Sequence, residues 1–97
     1  MAPTNPDRVI QAHRAQIAEL DQRVLEALNA RISLVQSLRT HKEAQGLAFR
    51  DPAQEARLLS ALRQANPGPL PDEGLEAIFR LILEWTRRAA SGEAGTD

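Results

Sequence analysis

The sequence predicts an all-α fold of three helices, one long, one short and one medium, in a chain that pairs with a second copy of itself. Three observations predict it. Apolar residues recur at steps of three, four and seven from Ile10 to Leu38. Neither proline nor glycine interrupts the chain between Pro6 and Gly46. Two further helix starts follow, at Asp51-Pro52 and Pro71-Asp72.

The long helix comes first. Asn5-Pro6-Asp7 supplies an N-cap side chain, proline at the first helical position and an acid in the first turn. Gly46 suits its C-terminal stop. Ile10, Ile17, Leu20, Val24, Leu28, Val35 and Leu38 form the main apolar stripe, with Leu25 and Ile32 on one flank. At 3.6 residues per turn the seven stripe residues fall within a sector of roughly 80°. About 40 helical residues rise roughly 60 Å. A compact chain of this size is only about 32 Å across, so it cannot cover its own long helix. A partner copy whose long helix pairs with this one is the simplest remedy, and it makes an intertwined homodimer.

Asp51-Pro52-Ala53-Gln54 reads as the start of the short helix, with Asp51 as N-cap, Pro52 at the first helical position and Gln54 at the third position of a capping box. That helix runs to about Ala65 with Leu58, Leu59 and Leu62 inward. Asn66-Pro-Gly-Pro-Leu-Pro71 is a rigid turn. The medium helix starts near Pro71-Asp72-Glu73 and is expected to turn Leu75, Ile78, Phe79, Ile82 and Trp85 inward, with Thr86 at the edge of that face. Trp85 reads as core or interface. Residues 1–5 form a loose lead, 6–90 the helical domain, and 91–97 a small, polar, disordered tail.

Composition narrows the function classes. The chain has 97 residues, 42% of them hydrophobic, enough for one domain with a modest core. Aromatics at 3% disfavour base-stacking nucleic-acid modules. A net charge of −1 gives no global basic field toward DNA or anionic lipid. With no cysteine there is neither a disulfide frame nor thiolate chemistry. His13 and His41 lie too far apart for local metal-ligand spacing, and each reads as a helix-surface residue. No run approaches membrane-spanning length and no apolar signal core opens the chain, so the reading is a soluble, cytoplasmic protein without a cofactor.

Polar residues on burying faces carry the functional signal. Arg31 and Lys42 lie inside the apolar sector of the long helix, and Arg14 at its edge. A charge on such a face is costly unless paired. A single cation there is commonly ion-paired, to Asp21 for example, or reaches back to solvent along its stem. Three along one stripe set an anion site beside that reading. Glu55 shares the face of Leu58 and Leu59, where it is either a site carboxylate or a first-turn acid favoured by the helix dipole.

With these residues in place, the sequence resembles the all-helical (type II, AroQ-class) chorismate mutases. The matching text is Arg14-Ala-Gln-Ile-Ala-Glu-Leu-Asp21, Ala30-Arg31, Lys42, Asp51-Pro-Ala-Gln-Glu55, and Ile78-Phe-Arg-Leu-Ile82 through Thr86, across about residues 8–90. The combined spacing is fairly specific, whereas any one piece is weak. The resemblance implies an intertwined dimer with two sites and the Claisen rearrangement of chorismate to prephenate, with no covalent intermediate. It implies that Arg14 crosses from the partner chain to one substrate carboxylate and that Arg31 holds the other. Lys42 would reach the ether oxygen, Asp51 and Glu55 the ring hydroxyl, and Thr86 stands where the family often has serine near a carboxylate. Arginines position carboxylates bidentately, and a fixed cation at the ether oxygen favours the transition state.

Two departures accompany the resemblance. Many members have arginine where this chain has Gln54, and glutamine or glutamate where it has Ala90. Gln54 still lies at the substrate-binding position as a hydrogen-bonding group. Neither Arg87 nor Arg88 has the helix phase to replace a donor at position 90. The expectation is therefore a slow mutase, or one activated by an aromatic-pathway partner enzyme. The alternatives are a relative acting on isochorismate (pyruvate elimination) or on aminodeoxychorismate, and a non-catalytic helical binding or regulatory dimer.

Overall fold

The computed structural model describes residues 6–92, so the lead over 1–5, the cap at Asn5 and the tail from 93 onward lie outside the described residues. The fold is all-helical: α1 (Pro6–Ala44), α2 (Pro52–Ala65) and α3 (Asp72–Ala90). No described helix is long and apolar enough to cross a membrane. The chain divides into two compact units, one up to Ala30 and the other from Arg31 onward, with α1 running through both.

In the first unit the helix begins at Pro6 with Asp7 in its first turn, as proline geometry and the helix dipole favour. Among the described residues of this unit, nothing covers its apolar stripe. Ile10, Ile17, Leu20, Val24 and Leu25 are each about half exposed, and α1 contains no buried residue. The period of this stripe is that of a packed face, yet it stays half exposed among the described residues of its unit.

In the second unit α1 ends in a Schellman motif. The N–H of Gly46 donates to the Glu43 carbonyl at 3.1 Å, and that of Leu47 to the Lys42 carbonyl at 2.8 Å. Gly46 adopts φ +72°, where a side chain is strained. Gly46→Ala is therefore expected to lower stability by about 1 kcal/mol. Thermal melts at fixed protein concentration check this, and an unchanged midpoint would contradict it.

Asp51 caps α2 by accepting a hydrogen bond from the Gln54 N–H at 3.1 Å. The reciprocal half of the expected capping box is not made. The Gln54 side-chain carbonyl instead accepts two hydrogen bonds from the Arg57 guanidinium, at 3.0 and 3.2 Å. A fixed guanidinium fork one turn away outcompetes a backbone N–H for that oxygen. The 66–71 turn is stitched by Asn66, whose amide donates to the Leu70 carbonyl and whose carbonyl accepts from the Gly68 N–H.

The α2 and α3 helices pack as an antiparallel pair. Ion pairs cross at both ends, Arg63 to Glu76 at 2.9 Å and Glu55 to Arg87 at 2.5 Å, so numbers rise on one helix as they fall on the other. Between them lie Leu59, Leu75 and Leu83, all buried. The expected inward face of α3 needs correction. Leu75 is buried and Phe79 and Ile82 are half-buried, but Ile78 and Trp85 are about half exposed. The buried stripe runs instead through Leu75, Leu83, Thr86 and Ala90. Physically, α3 is apolar on two flanks, and among the described residues of its unit only one of them is covered. On the other, Arg88 stacks 4.3 Å from the Trp85 ring.

Candidate active site

The site lies within the second unit, where α1, the 45–51 connector, α2 and α3 converge on one open cavity of about 130 Å³. Each element contributes polar groups because its helix phase sets them at the margin of an apolar stripe. From α1 come Arg31 and Lys42, separated by Val35 and Leu38 on the same face. The connector gives Phe49 and Arg50. Asp51, Gln54 and Glu55 come from the first turn of α2 and its cap, while Leu83, Thr86 and Arg87 come from α3.

Arg31 is half-buried and has no hydrogen-bond or ion-pair partner among the described residues. Lys42 is also half-buried, and its Nζ is 3.5 Å from the Phe49 carbonyl, the outer limit of a hydrogen bond. Two cations thus stand on one wall with almost nothing to neutralise them. Opposite in charge, Glu55 is held firmly through one oxygen and loosely through the other. One carboxylate oxygen accepts from Arg87, and the other is 3.8 Å from Arg50. Asp51 uses one oxygen for the α2 cap, leaving the second available. Thr86 is only 3% exposed and lines the cavity.

The lining sets Arg31, Lys42, Arg50 and Arg87 against Asp51 and Glu55, a surplus of two positive charges. Leucine, valine and phenylalanine complete the walls and lower the local dielectric, which strengthens attraction for an anion. Such a cavity suits a small apolar molecule carrying two negative charges. Its volume falls below the roughly 300–1,000 Å³ usual for ligand pockets, so the walls of one chain enclose a ligand only in part.

Of the site residues expected from sequence, Arg31, Lys42, Asp51, Gln54, Glu55 and Thr86 meet at this cavity. Arg14 does not; it belongs to the first unit and is exposed, with no ion-pair partner among the described residues. Asp21 is likewise an exposed residue of that unit. Ala90 is buried and outside the lining, and its carbonyl accepts from Arg39 at 3.3 Å. Sequence reasoning missed Arg50 and Arg87. Arg50 adjoins the α2 cap, and Arg87 stands one turn beyond Leu83. Phasing α3 on Leu83 would have brought Arg87 to the cavity beside Thr86.

Three helices, with one cavity of surplus positive charge lined by α1, α2 and α3, define a class of small all-helical proteins. The family model described as chorismate mutase type II matches residues 13–90, and the chain belongs to that family. Among solved structures, form II of the chorismate mutase of Thermus thermophilus shares 32% identity with a TM-score of 0.81, covering 84% of this chain and 93% of that one. Form I of the same protein shares 34% identity with a TM-score of 0.78, covering 79% and 96%. The bifunctional chorismate mutase/prephenate dehydratase of Neisseria gonorrhoeae is 31% identical over 77 residues, or 79% of this chain. The protein of that name from Pseudomonas aeruginosa is 32% identical over 79 residues, or 76% of this chain. The chain spans about a fifth of the length of these bifunctional relatives.

Proposed function

We propose that the chain is a chorismate mutase that works as a homodimer, converting chorismate to prephenate by holding the substrate rather than by forming a bond to it. The observation that carries this reading is the pair of unneutralised cations, Arg31 and Lys42, on one wall of a cavity with a surplus of two positive charges. Within a single molecule the ether C–O bond breaks as a new C–C bond forms. No group enters or leaves, so no nucleophile or general base is required.

In this reading Arg31 grips one carboxylate of a folded, chair-like conformer. Lys42 lies against the ether oxygen, where negative charge grows during C–O cleavage, so its attraction is stronger in the transition state than in the bound substrate. The held carboxylate of Glu55 or the free oxygen of Asp51 accepts the one hydrogen bond that the ring hydroxyl donates, and the Thr86 hydroxyl faces a carboxylate. Gln54 adds a neutral hydrogen-bonding group. Position 90 places no donor in the cavity, which supports a slow reaction, since one such contact is worth about 10²–10³ in rate.

The second carboxylate falls to Arg14 of a partner chain. Two features support this assignment: the half-exposed apolar stripe of α1 around Arg14, and a cavity that one chain encloses only in part. Covering a half-exposed leucine or isoleucine gains about 1 kcal/mol each, enough over several residues to hold two copies together. Faster turnover in the presence of an aromatic-pathway partner enzyme would accord with the missing donor at position 90.

The test is prephenate formation by the purified chain. Turnover of chorismate above the spontaneous rate, lost in Arg31→Ala with the helical circular dichroism signal retained, is the expected result. Turnover of isochorismate or aminodeoxychorismate in preference to chorismate would reassign the substrate. Product at the background rate with all three at high enzyme concentration would refute catalysis.

A further inference from the structure

We propose that Arg87 is a positioning residue of this cavity: it clamps the Glu55 carboxylate and balances its charge, so that Glu55 stands as a fixed acceptor without repelling an incoming dianion. The inference rests on the dianion-binding reading above. The Arg87 guanidinium donates to one Glu55 oxygen at 2.5 Å across 32 residues of chain. Both side chains are about one-quarter exposed, and both line the cavity. A charge-assisted bond at that depth holds one rotamer.

Other groups do not take its place. Arg50 approaches the second Glu55 oxygen only to 3.8 Å and is mostly exposed, so it restrains the carboxylate weakly. Gln54 carries no charge, and its carbonyl is turned to Arg57. Without Arg87 the surplus of positive charge in the lining falls from two to one, and a half-buried carboxylate faces an incoming dianion almost uncompensated. With Arg87 in place, Glu55 presents a fixed acceptor to a hydroxyl and its charge is balanced. Because one of its nitrogens is spent on Glu55, Arg87 acts through that carboxylate and not on the substrate itself.

The test measures prephenate formation by the full chain as wild type, Arg87→Met, Arg87→Lys, Glu55→Gln and the double variant, with thermal melts alongside. Arg87→Met should raise KM about tenfold or more with a smaller change in kcat, the pattern of lost binding common to substrate and transition state. Arg87→Lys, which keeps the charge, should recover most of the loss. In the Glu55→Gln background, Arg87→Met should add less than about a twofold change, because its route of action is already gone. An unchanged KM in Arg87→Met would overturn the proposal, as would independent multiplication of the two single effects in the double variant. Equal loss in Arg87→Met and Arg87→Lys, tracking a lowered melting point, would make the pair a mere helix-to-helix tie. Arg31→Ala serves as the reference. If it abolishes turnover while Arg87→Met leaves KM untouched, the dianion site stands and this role of Arg87 falls. An inert wild type removes both.

Discussion

An equimolar mixture of Arg14→Ala and Arg31→Ala chains, unfolded together and refolded, is expected to regain about a quarter of wild-type activity although each variant alone is inactive. Random assortment makes half of the dimers mixed. If each site draws Arg31 from one chain and Arg14 from the other, a mixed dimer has one site lacking both arginines and one site with both. Two observations motivate the experiment: Arg31 lines the cavity, whereas Arg14 belongs to the other compact unit. Were Arg14 to serve the site of its own chain, every site in a mixed dimer would lack one arginine, and the mixture would remain dead. A sedimentation measurement showing only monomers would defeat the shared-site reading from a different direction.

Lys42→Ala is expected to lower kcat by about 10²–10³ with a smaller change in KM. The asymmetry follows from where charge develops. Substrate carboxylates are charged before and after the reaction, so a cation that grips one, the role proposed for Arg31, would serve both states. The ether oxygen becomes anionic only as its bond to carbon stretches, so a cation there is most effective at the barrier. The Lys42 ammonium has only a marginal contact with the Phe49 carbonyl and is available for this role. Pre-steady-state or saturation kinetics on chorismate read the split directly. A KM effect with kcat unchanged would assign Lys42 to carboxylate binding. Full retention of biological function by Lys42→Ala would favour the non-catalytic helical dimer.

Much of the helical frame was legible because each boundary has a local chemical cause. Pro6, the Schellman glycine Gly46, the Asp51 cap and the proline-rich turn after Asn66 act over a few residues, and the structure places the helix ends there. The cations Arg31 and Lys42 were conspicuous because charge on an apolar stripe is costly. The phase of α3 was not legible. Its apolar residues cover two flanks, and periodicity alone cannot tell which flank meets its own chain and which is left to another. Ile78 and Trp85 were drawn inward by that ambiguity, and Arg87 was lost with them. The side chain of Gln54 was misread for a related reason: the capping-box pattern ignores a competitor such as Arg57, visible only once both sit on one turn.

The connector between α1 and α2 works as a ruler. The Lys42 carbonyl is tied into the end of α1, and Asp51 is tied into the start of α2, so the span from Gln45 to Arg50 sets how far the ammonium of one helix stands from the carboxylates of the other. A residue inserted there would slide the acidic wall past the basic one while leaving every helix intact. The loop from Asn66 to Pro71 carries no cavity residue, so its length is open to drift. Variation among natural sequences of this kind should therefore collect in the second loop and spare the first.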